Sequence, residues 1–555
     1  MRLTYRLFWI ALFSMFSLLN LFANQLNYKD IRESIILPPK MDKVRSCTDP
    51  IPITSEDVNR RGKGFVIREP GCYILCEDII FDAYGDKSTT AITIESSNVT
   101  LDLGGHRLSL WLPSPENNEK NLPSPILGIG ANGVSSIAII NGSITDFTDA
   151  AIRIENSNNI VIDGLSILNT GLPSAYGGLQ INDSSDILID HVRALYNFGS
   201  GMYLHGVIKV TVKNSHFDDN VPGNVAPQYF TAGQVGSGAY IDSSTTTETD
   251  MVLVEDCSFN RNSGGSDGGG MEIGIYTLGI PVKNVTIVRS EFLDNFNNGI
   301  QGLFNDASGL VLLEVTNFLI EDVISSGQRH NGAPGPTLYV AGATGFSINA
   351  SNNGIIENCQ ANDNVGGGFS SIGMRVRGCN NVLVKNSQAS ANINTSSGYA
   401  FGFSADNDTA VGSPFPVGTA NVFDSCVAQN NSSATGLAGG FKITNLANST
   451  IENCISQQNP IGILVSDSNT TPVTLNNIFK NNIVQSNTLF GILDTVSGSN
   501  NAYYLNTARS NGSNPLLTNY AGLPAGTPFE TWSITTGFSP APPNINPFAN
   551  LNIVP

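Results

Sequence analysis

Between Val252 and Asn262 the sequence VLVEDCSFNRN sets out a pattern of apolar and polar positions that recurs along most of the chain. With Val252 as zero, apolar residues fall at 0 and +2, a charged residue at +3 and a polar one at +4. A small residue follows at +5, a large apolar one at +7 and an asparagine at +10. The +5 position recurs as Gly142, Leu165, Val192, Ser215, Cys257, Ser290, Val323, Cys359, Ser387, Cys426, Cys454, Asn482 and Asn506. The +10 position is more exacting: Asn197, Asn220, Asn262, Asn295, Gln328, Asn364, Asn392, Asn431, Asn459, Asn487 and Asn511. Only the first two coils, with Phe147 and Thr170 there, depart from an amide.

Alternation with period two predicts short strands, and the break between +2 and +5 predicts a bend near +4. A residue type fixed at one offset, with spacers of variable length between units, is the mark of a solenoid. Parallel strands stacked coil on coil place equivalent side chains roughly 4.8 Å apart. At that spacing the asparagines can bond amide to amide and to turn backbone, forming an internal ladder.

A second strand follows each asparagine and opens at or near a glycine: GLQI (178–181), GMYL (201–204), GAYI (238–241), GMEI (270–273), GIQG (299–302), TLYV (337–340) and GFKI (440–443). The shortest connection is Asn-x-x-x-Gly, as from Asn197 to Gly201, Asn295 to Gly299, Asn364 to Gly368 and Asn487 to Gly491. Insertions at 221–237, 263–269 and 432–439 all fall at this corner, and insertions mapping to one edge suggest a binding face. The outward residue of the second strand is expected to run Arg153, Gln180, Tyr203, Tyr240, Glu272, Gln301 and Tyr339. Tyrosines interleaved with amides and a carboxylate offer flat apolar faces beside hydrogen-bonding groups, a combination suited to sugars. Gln180, Tyr203, Tyr240, Glu272, Gln301 and Tyr339 are therefore the expected ligand contacts, on an exposed face. Glu272 has no carboxylate partner in its own column.

Pattern and ladder resemble the right-handed parallel β-helix proteins of the pectin-lyase-like group over about residues 65–511. The resemblance implies an all-β fold, a single right-handed parallel β-helix of about 13–15 coils. It implies no one activity, because that fold hosts lyases, hydrolases and adhesins. Ile189-Asp190-His191 is similar to a Trp-Ile-Asp-His motif of pectate lyases. Asp190, however, stands in an outward charged column shared by most coils (Asp163, Glu255, Glu321, Glu357). The Asn-Thr-Asp, Asp-Asp, Gly-His-Gly and Arg-Ile-Lys set of polygalacturonases is not found. Phe217-x-x-Asn220, Phe259-x-x-Asn262 and Phe292-x-x-Asn295 are similar to a repeated element of adhesin-type autotransporters, but no membrane-barrel pattern follows.

Composition and the chain ends refine this. Only 13% of residues are charged, which suits stacked turns better than solvated helices. A net charge of −18 makes nucleic acid and anionic membranes poor partners and argues mildly against a large polyanion; the partner expected from the tyrosine-bearing face is a polysaccharide or cell-surface glycan. Residues 1–23 read as an export signal: Arg2 and Arg6, the apolar run Leu7 to Phe22, and Ala23 before the cleavage point. Leu21 at the −3 position is large, so a retained anchor stays open beside a cleaved leader. Residues 24–64 are expected to form an N-terminal cap, with a short helix over Lys29–Leu37 covering the open first coil, and 512–555 a tail or C-terminal cap.

Cys72 and Cys76 lie about 13 Å apart on an extended strand, so Cys47 with one of them is the expected disulfide. Cys257, Cys359, Cys426 and Cys454 read as packed free thiols. No metal or cofactor is expected. The function expected is that of an exported glycan-binding or surface-architecture protein; a polysaccharide lyase or glycoside hydrolase is the alternative.

Overall fold

The computed structural model describes residues 29, 31–40, 49–60, 63–83, 89–111, 125–171, 177–221, 238–264, 269–274, 280–297, 306–330, 342–368, 370–406, 417–467, 474–496, 500–512, 520–521, 530–533 and 551–554. The chain winds as one stack of parallel strands, with equivalent strands of successive coils paired in register. Val210, Val252, Val285 and Phe318 are direct partners, as are Val212, Val254, Ile287 and Ile320. The bend expected at +4 is one left-handed residue per coil, such as Asn214 (φ 49°), Asp256 (φ 53°) and Asn358 (φ 56°), and a second one stands at +9. Asn and Asp tolerate this conformation best, which is why the corners are rich in them.

Among the described residues the second sheet has 16 strands, one more than the upper end of the expected range. The excess lies in N-terminal coils that lack the template. Ile51–Ile53 already pairs with Gly71–Leu75, and Phe65–Ile67 with Thr90–Ile94. The stack thus begins ahead of residue 65.

Fully buried asparagines form the expected ladder. The Asn197 amide nitrogens donate to Asn220 Oδ1 (3.0 and 2.9 Å), Asn220 to Asn262 Oδ1 (2.9 and 3.1 Å), and the Asn262 backbone N–H to Asn295 Oδ1 (2.9 Å). Gln328 serves the same role with its longer side chain, accepting from the Asn295 N–H at 3.1 Å.

Core volume is shared between two columns. Phe217, Phe259 and Phe292 stack at 5.1–5.3 Å in coils whose second strand turns Ala239, Met271 and Leu310 inward. Where +7 shrinks to Ser325, Ala389 and Ala428, the second strand supplies Phe346, Phe403 and Phe441. In these coils a large ring from one column offsets a small residue in the other, which keeps the interior filled without overpacking.

Both ends are covered. At the N-terminal end the helix Ser55–Asn59, capped by Thr54 and Asp57, buries Val58 in the core. At the other end Leu551–Val554 lies against the last coil strands. The segment expected to cover the first coil instead lies on the side of the stack. Ile31 and Ile35 pack on Leu319 and Ile355, and Arg32 pairs with Glu321 (2.5 Å) and Glu357 (2.9 Å). Two outward apolar residues flanked by carboxylates match an Ile-Arg-Ile face better than the first coil does. Cys72 is disulfide-bonded, to a residue outside the described set, and Cys76 is free and exposed. Cys257, Cys359, Cys426 and Cys454 are free and buried, as expected, and burial pushes the Cys257 and Cys359 thiols up to about 12.

Candidate functional site on the second sheet

The second sheet follows the corner that carries the longest insertions. Its register is set by a glycine column: a Cβ at Gly178, Gly238 or Gly270 would come within 2.0–2.1 Å of the carbonyl oxygen of the next rung. Two residues further on, the outward column runs Arg153, Gln180, Tyr203, Tyr240 and Glu272 in direct pairing, as the sequence predicted. It then departs from expectation. Glu272 pairs with Val311, and Val311 with Ser347. The second strands of these two coils are Asp306–Leu313 and Gly342–Asn349. Gln301 and Tyr339 are outside the described residues, and their rungs are taken by others. Gly309-Leu310-Val311-Leu312 gives a glycine followed by two inward apolar residues, whereas Gly302 ends GIQG without one and TLYV has no glycine. For the same reason Gly373, not Gly368, stands in the column.

Tyr203 and Tyr240 stack with ring centroids 5.5 Å apart at 8°. Both are outside the core cluster, yet the face is not open. Gln180, Tyr203, Tyr240 and Glu272 are only 7%, 7%, 1% and 4% exposed, against the expectation of an exposed sheet. The expected wall at 221–237 lies almost wholly outside the described residues.

The column two residues further along the same face supplies what the sequence reading lacked. His205 and Asp242 are rung partners there, with His205 Nδ1 2.6 Å from Asp242 Oδ1. The His205 ring stacks beside Tyr203 at 5.7 Å. Asp242 is also the carboxylate partner that Glu272 lacked in its own column, one rung back and on the diagonal, about 8 Å between Cα atoms. Burial, and then the charge of Asp242, push Glu272 up to about 8, and its Oε2 has no hydrogen-bond partner among the described residues. Burial likewise raises Asp242, opposed by His205 and by the Tyr240 and Tyr203 hydroxyls. The hydrogen bond of its ring nitrogen to Asp242 raises His205. Five groups thus form one acid–base cluster, in which burial favours the protonated form of Glu272. Alternation alone puts residues 205 and 242 on this face; only the choice of a single column hid them.

Further along the face, Asp406 is buried among Arg375 (3.3 Å), Arg377 (3.5 Å) and Lys442 (3.9 Å). Burial opposes its charge, but the three cations hold it below the usual carboxylate range. On the first sheet Asp163, Asp190 and His191 come within 4.8 Å of one another. Lys213 already faces the Asp190 carboxylate at 3.5 Å, so the motif-like run is part of the charged ladder.

A family model for the right-handed β-helix region matches residues 126–249. The chain is a right-handed parallel β-helix protein. Among solved structures it is similar to the A-module of a mannuronan C-5 epimerase of Azotobacter vinelandii, at 14% identity and a TM-score of 0.43, covering 72% of this chain and 98% of that one. It is also similar to a periplasmic alginate epimerase, at 10% identity and a TM-score of 0.36, over 87% and 84% of the two chains. A surface adhesin of Streptococcus pneumoniae matches at 11% identity and a TM-score of 0.32, over 90% and 95%. These likenesses carry no argument about chemistry. No curated protein matches the sequence.

Proposed function

We propose that this β-helix protein is exported and acts on a polysaccharide along the outer face of the second sheet, as a lyase or glycoside hydrolase. The observation that carries the reading is the convergence of His205, Asp242 and Glu272 beside the Tyr203–Tyr240 stack. Hydrolysis and elimination at a sugar both need an acid and a base held on one face. Glu272 is suited to donate a proton, and His205, oriented by Asp242, to accept one. The half-buried His205 is the member of the cluster nearest to solvent. Export is supported by the apolar leader of residues 7–22 and by the disulfide at Cys72, a bond that persists in oxidising compartments.

A second reading, glycan binding or surface architecture without turnover, is favoured by the burial of Tyr240 and Glu272. A polysaccharide panel assayed for reducing ends and unsaturated products separates the two. Turnover abolished by Glu272→Gln supports the enzyme. Binding without turnover supports the second reading, and neither would discard both.

A further inference from the structure

The repeat provides its own control for locating unusual surface. On the wall that follows the +4 bend, the +6 column reads Ile324, Gln360, Gln388, Val427, Ile455 and Ile483 in the later coils, a plain mixture of aliphatics and amides. In the coils built on Ser185–Asp190, Ile208–Lys213, Asp250–Glu255 and Lys283–Val288, the same column reads Arg193, His216, Ser258 and Glu291, paired rung to rung. Ser258, 4% exposed, bonds both His216 Nδ1 (2.8 Å) and the Asp218 carboxylate (3.0 Å), and the Asn260 N–H donates to Asp218 at 2.7 Å.

The +9 column departs in two of the same coils. This position is left-handed in every described coil of the template and is filled mostly by small or short polar residues such as Asp294, Asp363, Asn430 and Ser486. Here it holds Tyr196 (φ 58°), the only Phe, Tyr or Trp with a positive φ among the described residues. A bulky side chain is poorly tolerated there, and strain of this kind is retained at functional positions. Tyr196 is 55% exposed, and Phe198, across the Asn197 corner, is 39% exposed. Two rungs on, Arg261 stands in the same column, its guanidinium held by Asp219 through two bonds of 2.8 and 2.7 Å and within electrostatic reach of Tyr196.

We propose that this wall is a second carbohydrate site, taking a neutral saccharide with vicinal hydroxyls between Tyr196 and Arg261. Two rungs span about 10 Å, room for two pyranose rings lying along the axis. The aromatic face takes the apolar side of a ring. Arg261 and His216 donate to hydroxyls, and Asp218 and Asp219 accept from them. The mixture of paired charges favours no net charge in the ligand. The wall is a different face from the His205–Asp242–Glu272 cluster, and the inference does not depend on that cluster.

Affinity electrophoresis of the full chain through gels containing laminarin, dextran or polygalacturonate tests it. A neutral glycan is expected to retard the protein, and Tyr196→Asn and Arg261→Ser each to weaken the apparent affinity about tenfold. Tyr196→Asn supplies the residue found at Asn430 in the same column, so its melting temperature should hold or rise while binding falls; a merely structural tyrosine would not give that split. Asn430→Ser, in the same column of a later coil, should leave retardation unchanged, which ties the retardation to this wall. The proposal is overturned if no neutral glycan retards the chain, if only polygalacturonate does, or if the two wall variants bind like the unaltered protein.

Discussion

Tyr203 and Tyr240 stand on neighbouring rungs with parallel rings 5.5 Å apart, directed away from the core and yet closed off from solvent. An exposed pair could be replaced by serine at little cost. A buried pair loses ring contacts and leaves a void, so the double substitution should destabilise the protein by about 2–5 kcal/mol. Chemical denaturation measures it; an unchanged midpoint would mean that the face is open.

The ladder predicts a cost at one amide. Asn295→Leu removes the acceptor of the Asn262 backbone N–H, bonded at 2.9 Å inside the turn. A loss of about 1–3 kcal/mol is expected for a buried donor left unpaired. Because each coil leans only on its neighbours, hydrogen exchange should rise first around residues 262 and 295.

Glu272 gives stability a defined dependence on pH. Its folded value is raised from 4.5 to about 8, so the stability it contributes is present below 4.5 and is lost as pH rises through about 8. Glu272→Gln should therefore match the unaltered protein in acid and exceed it in alkali. Melting curves across that window check this without any substrate, and a parallel pair of curves would place Glu272 in contact with water.

His330 acts in the opposite direction. It is 2% exposed, neither ring nitrogen has a partner among the described residues, and burial lowers it below 6.5. The native state holds it neutral, so stability should fall as pH drops below 6.5, where the unfolded chain takes up a proton. His330→Gln should remove that part of the acid sensitivity, seen as a flatter dependence of melting temperature on pH.

The contact of Arg32 with Glu321 and Glu357 predicts a local effect. Arg32 is about half exposed, so Arg32→Glu should cost less than about 1 kcal/mol globally. Hydrogen exchange at residues 31–35 should nonetheless rise sharply, because like charges would then face each other across the Ile31–Leu319 contact.

The repeat itself was written in the sequence. Side-chain alternation, the left-handed corners and the Asn ladder each follow from local chemistry at fixed offsets, so Asn197 to Asn511 could be aligned without coordinates. Register across the insertions could not. Gln301 and Val311, or Tyr339 and Ser347, compete for one rung, and only the close approach of backbones at the glycine column decides between them. Partnerships between columns were equally out of reach. Asp242 meets Glu272 because adjacent rungs bring residues 30 apart in sequence onto one diagonal, and Arg32 finds Glu321 across 289 residues. Burial of the tyrosine face was also a tertiary outcome, since alternation tells inward from outward but not what covers the outside.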